Sequence, residues 1–313
     1  ITSLRRDVET DGRRAVVAFT EEWAEDAERR DFRLNAIYAA ADGNLHEIVP
    51  NSVQDAIDGR VIFIGDADQR LREDYLRILR FFRFNAWYGA GMDADGLSAC
   101  ERQKDGLAKI ASERIWKELK RLMEAPDPSE AMLAMEETGV LEAVLPGASA
   151  SELPSLVSVE QGASLTPDPL QRLMAMMTRR ARDVAAVTSH LRLSNAEAQR
   201  LTGWADPALS HVLGAQPEAL RRLFYRFGTR TVLDRALIEA AQISGTEAYQ
   251  ALHTAASDWQ KPDFPLGGAD ALAAGLSGPA VGETLRALEE DWIASDFSLS
   301  RSVLLARLSS QTG

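Results

Sequence analysis

The sequence predicts a mainly α protein with a small β-containing part at its N-terminal end. From residue 68 almost to the last residue, apolar positions recur at steps of three and four, the period of a helix with one buried face. Only before residue 50 do short apolar runs bounded by polar turns suggest strands. At 313 residues, 45% hydrophobic and 26% charged, the chain has the composition of a globular protein with room for two or three domains.

The composition excludes some classes. No run of about 18 apolar residues occurs, so neither a membrane-spanning helix nor a membrane partner is expected. The single cysteine, Cys100, rules out an intramolecular disulfide and fits a reducing cytoplasm. His46, His190, His211 and His253 are scattered without cysteine partners, which argues against a zinc site. A net charge of −12 argues against indiscriminate nucleic-acid binding, but the charge is uneven. Residues 68–122 hold 12 basic against 9 acidic side chains, and 171–235 hold 11 against 5, whereas 236–313 hold 4 against 10. Two basic segments in an acidic protein suit a defined RNA-facing surface. The alternative is that these arginines only solvate helices.

In chain order, residues 1–5 read as the end of a strand, 8–14 as a polar loop and 15–20 as a second strand. Two lone strands make no stable sheet, so the chain is expected to be part of a longer protein. Residues 26–39 read as a short helix burying Phe32, Leu34, Ile37 and Tyr38, followed by a turn at 40–44 signalled by Asp42-Gly43 and a strand at 45–49. The most regular stretch is 70–89, RLREDYLRILRFFRFNAWYG, expected to be one uncapped helix. Its inward face is Leu71, Tyr75, Ile78, Leu79, Phe82 and Ala86, while Arg77, Arg80 and Arg83 wind along it as a row. Glu73 and Asp74 stand four and three residues before Arg77, at pairing distance on a helix. A solvated salt-bridge face is one reading. The other is an anion or base site, because a guanidinium held by a carboxylate has its donors fixed in direction. Helix breaks follow at 89–95, 126–128, 146–154, 166–169, 207 and 262–268, and Met174, Met176 and Met177 read as core filling. Residues 264–282, rich in glycine, form a turn feeding a helix from 281 to 293, whose N-terminus suits either close packing or a phosphate.

Three ordered motifs carry a resemblance. DAERRDFRLNAIY (26–38), EDYLR running into LRILRF (73–81) and SERIWKEL (112–119) resemble the RRDFxxNA, EDxxR–LRxxRF and SxERIxxEL motifs of the class II tRNA nucleotidyltransferase/poly(A) polymerase family. The third is shortened by one residue. There are other departures: Ser52 stands where glycine is usual, Val61 precedes Ile62-Phe63-Ile64-Gly65-Asp66 where arginine is usual, and Ala269 replaces a lysine before Asp270.

The resemblance implies a nucleotidyltransferase head whose metal-binding DxD pair and GGxVRD segment precede the matched region and are not in this sequence. The substitutes with that spacing, Asp66/Asp68 and Asp93/Asp95, lie in turn-like stretches and are poor candidates. The expected parts are a head remnant at 1–49, a neck that recognises the base at 50–145, and a helical body and tail at 146–313 that bind tRNA. The implied activity is addition of C and A from CTP and ATP to the tRNA 3′ end. Mg2+ would act through ligands outside this chain, so the chain alone is expected to be inactive. The alternatives are poly(A) addition and a non-catalytic nucleotide- or RNA-binding module. By resemblance, Arg30 and Asp31 contact the sugar–phosphate region and Asn35 steadies their turn. Asp74 and Arg77 read the Watson–Crick edge, with Glu73 orienting Arg77, and Arg80 and Arg83 bind the nucleotide. Ser112, which also suits a helix N-cap, braces the neck with Glu113, Arg114 and Glu118. Arg221 and Arg222 are candidates for RNA contact.

Overall fold

A computed structural model describes residues 4–11 and 14–310. The chain divides into two compact units, Ile1–Ala205 and Asp206–Gly313.

The first unit opens with strands β1 (Arg5–Asp11) and β2 (Arg14–Phe19), an antiparallel hairpin in which Arg5 pairs with Phe19 and the register shifts between Asp7 and Glu9. Residues 8–11 are therefore strand, not the expected loop. Glu9 and Asp11 make the segment read as polar loop, whereas the backbone forms a ladder there. The expected strand at 1–3 and the turn at 12–13 lie outside the described residues. Helix α1 (Trp23–Glu28) follows, and a second hairpin joins β3 (Ile37–Ala39) to β4 (Leu45–Glu47) across the expected turn.

The stretch 26–39 is not one helix. It runs from the end of α1 through a β-bridge between Phe32 and Phe63, then a 3-10 turn at Arg33–Asn35, into β3. The aromatic core decides this path. Phe32 is fully buried, with its ring centroid 4.9 Å from Phe63 and 5.2 Å from Phe84, and such burial outweighs weak local helix preference. Tyr38 is buried as expected, while Leu34 and Ile37 are only half-buried.

Helices α2 (Ser52–Ile57), α3 (Ala67–Glu73), α4 (Leu76–Tyr88), α5 (Ala94–Gln103) and α6 (Ser112–Met123) continue the unit. The periodic stretch 70–89 is thus two helices. Asp74 is extended, with φ −151° and ψ 104°, and its carboxylate accepts the Leu76 N–H at 3.1 Å. An aspartate that satisfies the backbone two residues on offers the chain an alternative to the helix ladder. Asp66 caps α3 by accepting from the Gln69 N–H. Leu71, Ile78, Leu79 and Phe82 are buried as the periodicity predicts, and Leu76, Phe81 and Phe84 join them. Tyr75 and Ala86 are half-buried. Ser112 is the first residue of α6, not its cap; Ala111 holds the cap position without a side-chain bond.

Helices α7 (Ser129–Glu137), α8 (Val140–Val144), α9 (Leu153–Gly162), α10 (Pro169–Ala175), α11 (Ala181–His190) and α12 (Asn195–Ala205) complete the first unit. Met174 and Met176 are buried among them. Fully buried Arg172 is satisfied by Glu160 and by the carbonyls of Met123, Ala125 and Pro126. The second unit holds α13 (Pro217–Phe227), α14 (Thr229–Ile243), α15 (Thr246–Asp258), α16 (Gly268–Ala273), α17 (Pro279–Ala294) and α18 (Arg301–Ser310). Its core centres on Tyr225, Leu288, Trp292 and Leu304. The expected late helix starts two residues early, at Pro279, whose fixed φ suits a first helical position. Mainly helical architecture with a small N-terminal β part is what the sequence predicts.

Candidate nucleotide-binding pocket

The turn after α1 and the start of α4 meet because Phe32 is anchored in the aromatic core. The neighbouring backbone is fixed by two bonds to the next segment, Arg33 N–H to Ile62 O at 2.9 Å and Ile64 N–H to Asp31 O at 3.0 Å. This places Asp31 against Arg80. The Asp31 carboxylate is 5% exposed and accepts from Arg80 Nε, from the Asn35 side-chain amide at 2.9 Å and from the Phe32 N–H at 3.1 Å. Burial alone would raise its pKa, but the Arg80 charge and these bonds hold it below the ordinary carboxylate value. Burial tends to lower the pKa of Arg80, and Asp31 more than reverses this.

These groups line a cavity of about 460 Å³. Six of the seven expected nucleotide-binding residues border it: Arg30, Asp31, Asn35, Asp74, Arg77 and Arg80. Arg114, expected only as a brace, lines it too, and so do Arg5 and Arg29. Arg77 is fixed from two sides, with Nη1 donating to Glu73 Oε2 at 2.6 Å and to the Arg70 carbonyl at 2.8 Å. Glu73, expected to orient Arg77, is its ion-pair partner and also accepts from Arg70 at 2.5 Å. Asp74 does not pair with Arg77. Its other carboxylate oxygen accepts from Arg114 Nη2 at 3.0 Å, which leaves lone pairs on both oxygens.

Arg83 is absent from the pocket lining. It lies 4.4 Å from the Phe84 ring centroid and bonds Glu118 at 2.7 Å, bracing α4 to α6. Glu113 pairs with Arg192 at 2.7 Å. In the second unit, Arg221 forms a two-point pair with Asp296, and Arg222 donates to the Ala294 carbonyl at 2.9 Å.

Sequence reasoning missed Asp26. This fully buried carboxylate accepts from the Arg5 N–H, from Arg29, from Arg30 and from the Tyr38 hydroxyl. Its signal was present, since Arg29 and Arg30 follow at three and four residues, the spacing of helical ion pairs.

The substitute DxD pairs line a separate cavity of about 560 Å³. Three of their four carboxylates are in use: Asp66 and Asp93 cap helices, and Asp68 pairs with Arg102 at 2.6 Å. Among the described residues no three His, Cys, Asp or Glu side chains gather to hold a metal. The described residues do not fit a magnesium site.

Residues 1–62 match the poly A polymerase head domain, and residues 92–151 match the probable RNA and SrmB-binding site of polymerase A. The chain is 32% identical over 289 residues to CCA tRNA nucleotidyltransferase 1, mitochondrial, of Mus musculus, covering 88% of this chain and 64% of that protein. It is 36% identical over 153 residues to the CCA-adding enzyme of Geobacillus kaustophilus, covering 48% and 37% respectively. The chain thus spans less than two thirds of the curated relatives it matches. Among solved structures, it superposes on the Bacillus stearothermophilus CCA-adding enzyme in complex with CTP with a TM-score of 0.73 at 18% identity, covering 99% of this chain and 78% of the other. The Thermotoga maritima CCA-adding enzyme complexed with tRNA gives 0.63 at 15%, covering 93% and 74%. The fold is therefore the one shared by CCA-adding enzymes. The chain belongs to the class II tRNA nucleotidyltransferase/poly(A) polymerase family.

Proposed function

We propose that this chain is the nucleotide-selecting part of a CCA tRNA nucleotidyltransferase, which adds C and A from CTP and ATP to the 3′ end of tRNA. The names of the relatives support the reaction. One observation carries the reading for this chain's own residues: three sequence motifs, separated by tens of residues, converge on one arginine-walled pocket with an accessible aspartate. In this reading Asp74 accepts a hydrogen bond from the exocyclic amino group that cytosine and adenine share. Arg77 donates to the ring or carbonyl acceptor beside it. Guanine and uracil present a carbonyl oxygen where Asp74 needs a donor, so they are disfavoured. Arg30, Asp31 and Arg80 face the sugar and phosphates, and Asn35 steadies Asp31.

Residues 1–49 belong to the head, 50–145 to the neck and 146–313 to the body and tail that bind tRNA, a division of roles rather than of compact units. The reading places the protein in the cytoplasm, consistent with its one thiol, Cys100, being buried and unpaired. No helix among the described residues is long and apolar enough to cross a membrane.

Calorimetric titration of the chain with each of the four ribonucleoside triphosphates tests the reading. CTP and ATP should bind more tightly than UTP and GTP. Asp74→Ala with Arg77→Ala should reduce that preference by about ten- to a hundredfold, the range for a lost two-point base contact. Arg80→Ala should weaken all four alike. Equal binding of the four triphosphates by the unaltered chain would overturn it.

A further inference from the structure

Behind one wall of the pocket lies a buried carboxylate, Asp26, that does not itself line it. Asp26 is 0% exposed. Its Oδ1 accepts from Arg29 Nη2 at 2.8 Å and from the Arg5 N–H at 3.0 Å, and its Oδ2 accepts from Arg30 Nε at 2.8 Å and from the Tyr38 hydroxyl at 2.9 Å. One buried anion therefore holds two neighbouring guanidinium groups, each by a separate oxygen. Arg29 Nε is shared between Asp26 Oδ1 at 3.0 Å and the Arg5 carbonyl at 2.8 Å, and Arg30 Nη1 reaches the Asn35 carbonyl at 2.7 Å, so both planar groups are held in orientation. Arg29 and Arg30 line the pocket while Asp26 does not. Two cations sharing one carboxylate leave a positive charge uncompensated on that wall, in directions fixed before any ligand arrives.

We infer that Asp26 is a positioning residue for the phosphate side of the pocket, setting the orientation of the Arg29–Arg30 pair for a polyphosphate. The inference rests on the nucleotide reading above but concerns a different part of the ligand. It makes no contribution to base choice. The cluster responds as a unit: burial would raise the Asp26 pKa, but its hydrogen bonds hold it well below the usual carboxylate range. Burial, followed by the bond to Asp26, pushes the Tyr38 phenol up to about 12.

The test compares two variants of the full chain, Asp26→Asn and Tyr38→Phe. Both remove a buried hydrogen bond, but only the first removes the anion between the arginines. Binding of CTP, UTP and inorganic tripolyphosphate is measured by calorimetry, and folding is checked by circular dichroism. Asp26→Asn should weaken CTP and tripolyphosphate by about tenfold each, with the CTP-to-UTP ratio unchanged, while Tyr38→Phe stays within about twofold of the parent. A spectroscopic titration should also move the Tyr38 phenol of Asp26→Asn down towards its ordinary value. Unchanged tripolyphosphate binding in a folded Asp26→Asn chain would overturn the inference. So would an equal loss in Tyr38→Phe, which would make Asp26 a folding residue only. Loss of base preference in the parent chain, with tripolyphosphate still sensitive to Asp26, would sink the nucleotide reading and leave the phosphate wall standing.

Discussion

Asp31 and Arg80 are 49 residues apart in the chain, yet their contact joins the turn after α1 to the helix that carries the pocket's arginine row. A buried carboxylate in this setting makes stability depend on pH. The folded pKa of Asp31 is depressed, whereas an unfolded aspartate titrates near about 3.9. Its contribution is therefore fully present above about pH 4 and is lost as pH falls through the lower folded value. The same sign holds for Asp26. Thermal melting followed from pH 7 to pH 2 should show stability falling below about pH 4. Asp31→Asn should be less stable at pH 7 and show a shallower acid limb. Parallel acid limbs in the two proteins would mean that the Asp31–Arg80 pair does not couple protonation to folding.

At the scale of elements, Arg83 divides the arginine row by role. Arg77 and Arg80 border the pocket, whereas Arg83 joins α4 to α6 through Glu118, with both side chains largely buried. Arg83→Ala would strand the Glu118 carboxylate between the helices and should destabilise the chain by about 3 kcal/mol. Affinity for CTP should be unchanged. A weaker affinity at unchanged stability would place Arg83 on the ligand instead. Helical spacing alone assigned Arg77, Arg80 and Arg83 to one row, because periodicity reports a face and not what meets it. The same limit explains the rest of the reading. The buried face of α4 was legible from Ile78, Leu79 and Phe82, and the motif residues of the pocket from their resemblance. The break at Asp74 was not legible, because its side chain competes with a helix that the surrounding pattern favours. The Asp26 cluster was half-legible: its arginines are local, but its bond to Arg5 spans 21 residues and that to Tyr38 spans 12. The β1–β2 hairpin escaped because its first strand, RRDVETD, has no apolar alternation to betray it.

At the scale of the whole molecule, the proposed tRNA binding needs local basic surface on an acidic chain, and the segment 171–235 carries an excess of 6 basic residues. The proposed RNA contacts Arg221 and Arg222 are partly committed within the second unit, to Asp296 and to the Ala294 carbonyl. Binding of tRNA, followed by filter retention, should weaken steeply as salt rises, because phosphate contacts release counterions. Arg221→Glu with Arg222→Glu should weaken it further. Equal affinity in that double variant would move the RNA surface elsewhere. The central claim is that one pocket reads the base through Asp74 and Arg77. It is tested most directly by a crystal structure of the chain soaked with CTP. In that structure the cytosine amino group should lie within hydrogen-bond distance of the Asp74 carboxylate, with Arg77 on the adjoining acceptor and the phosphates towards Arg29 and Arg30. A well-ordered CTP in the cavity bordered by Asp66 and Arg102, or one in the pocket with its base turned away from Asp74, would contradict it.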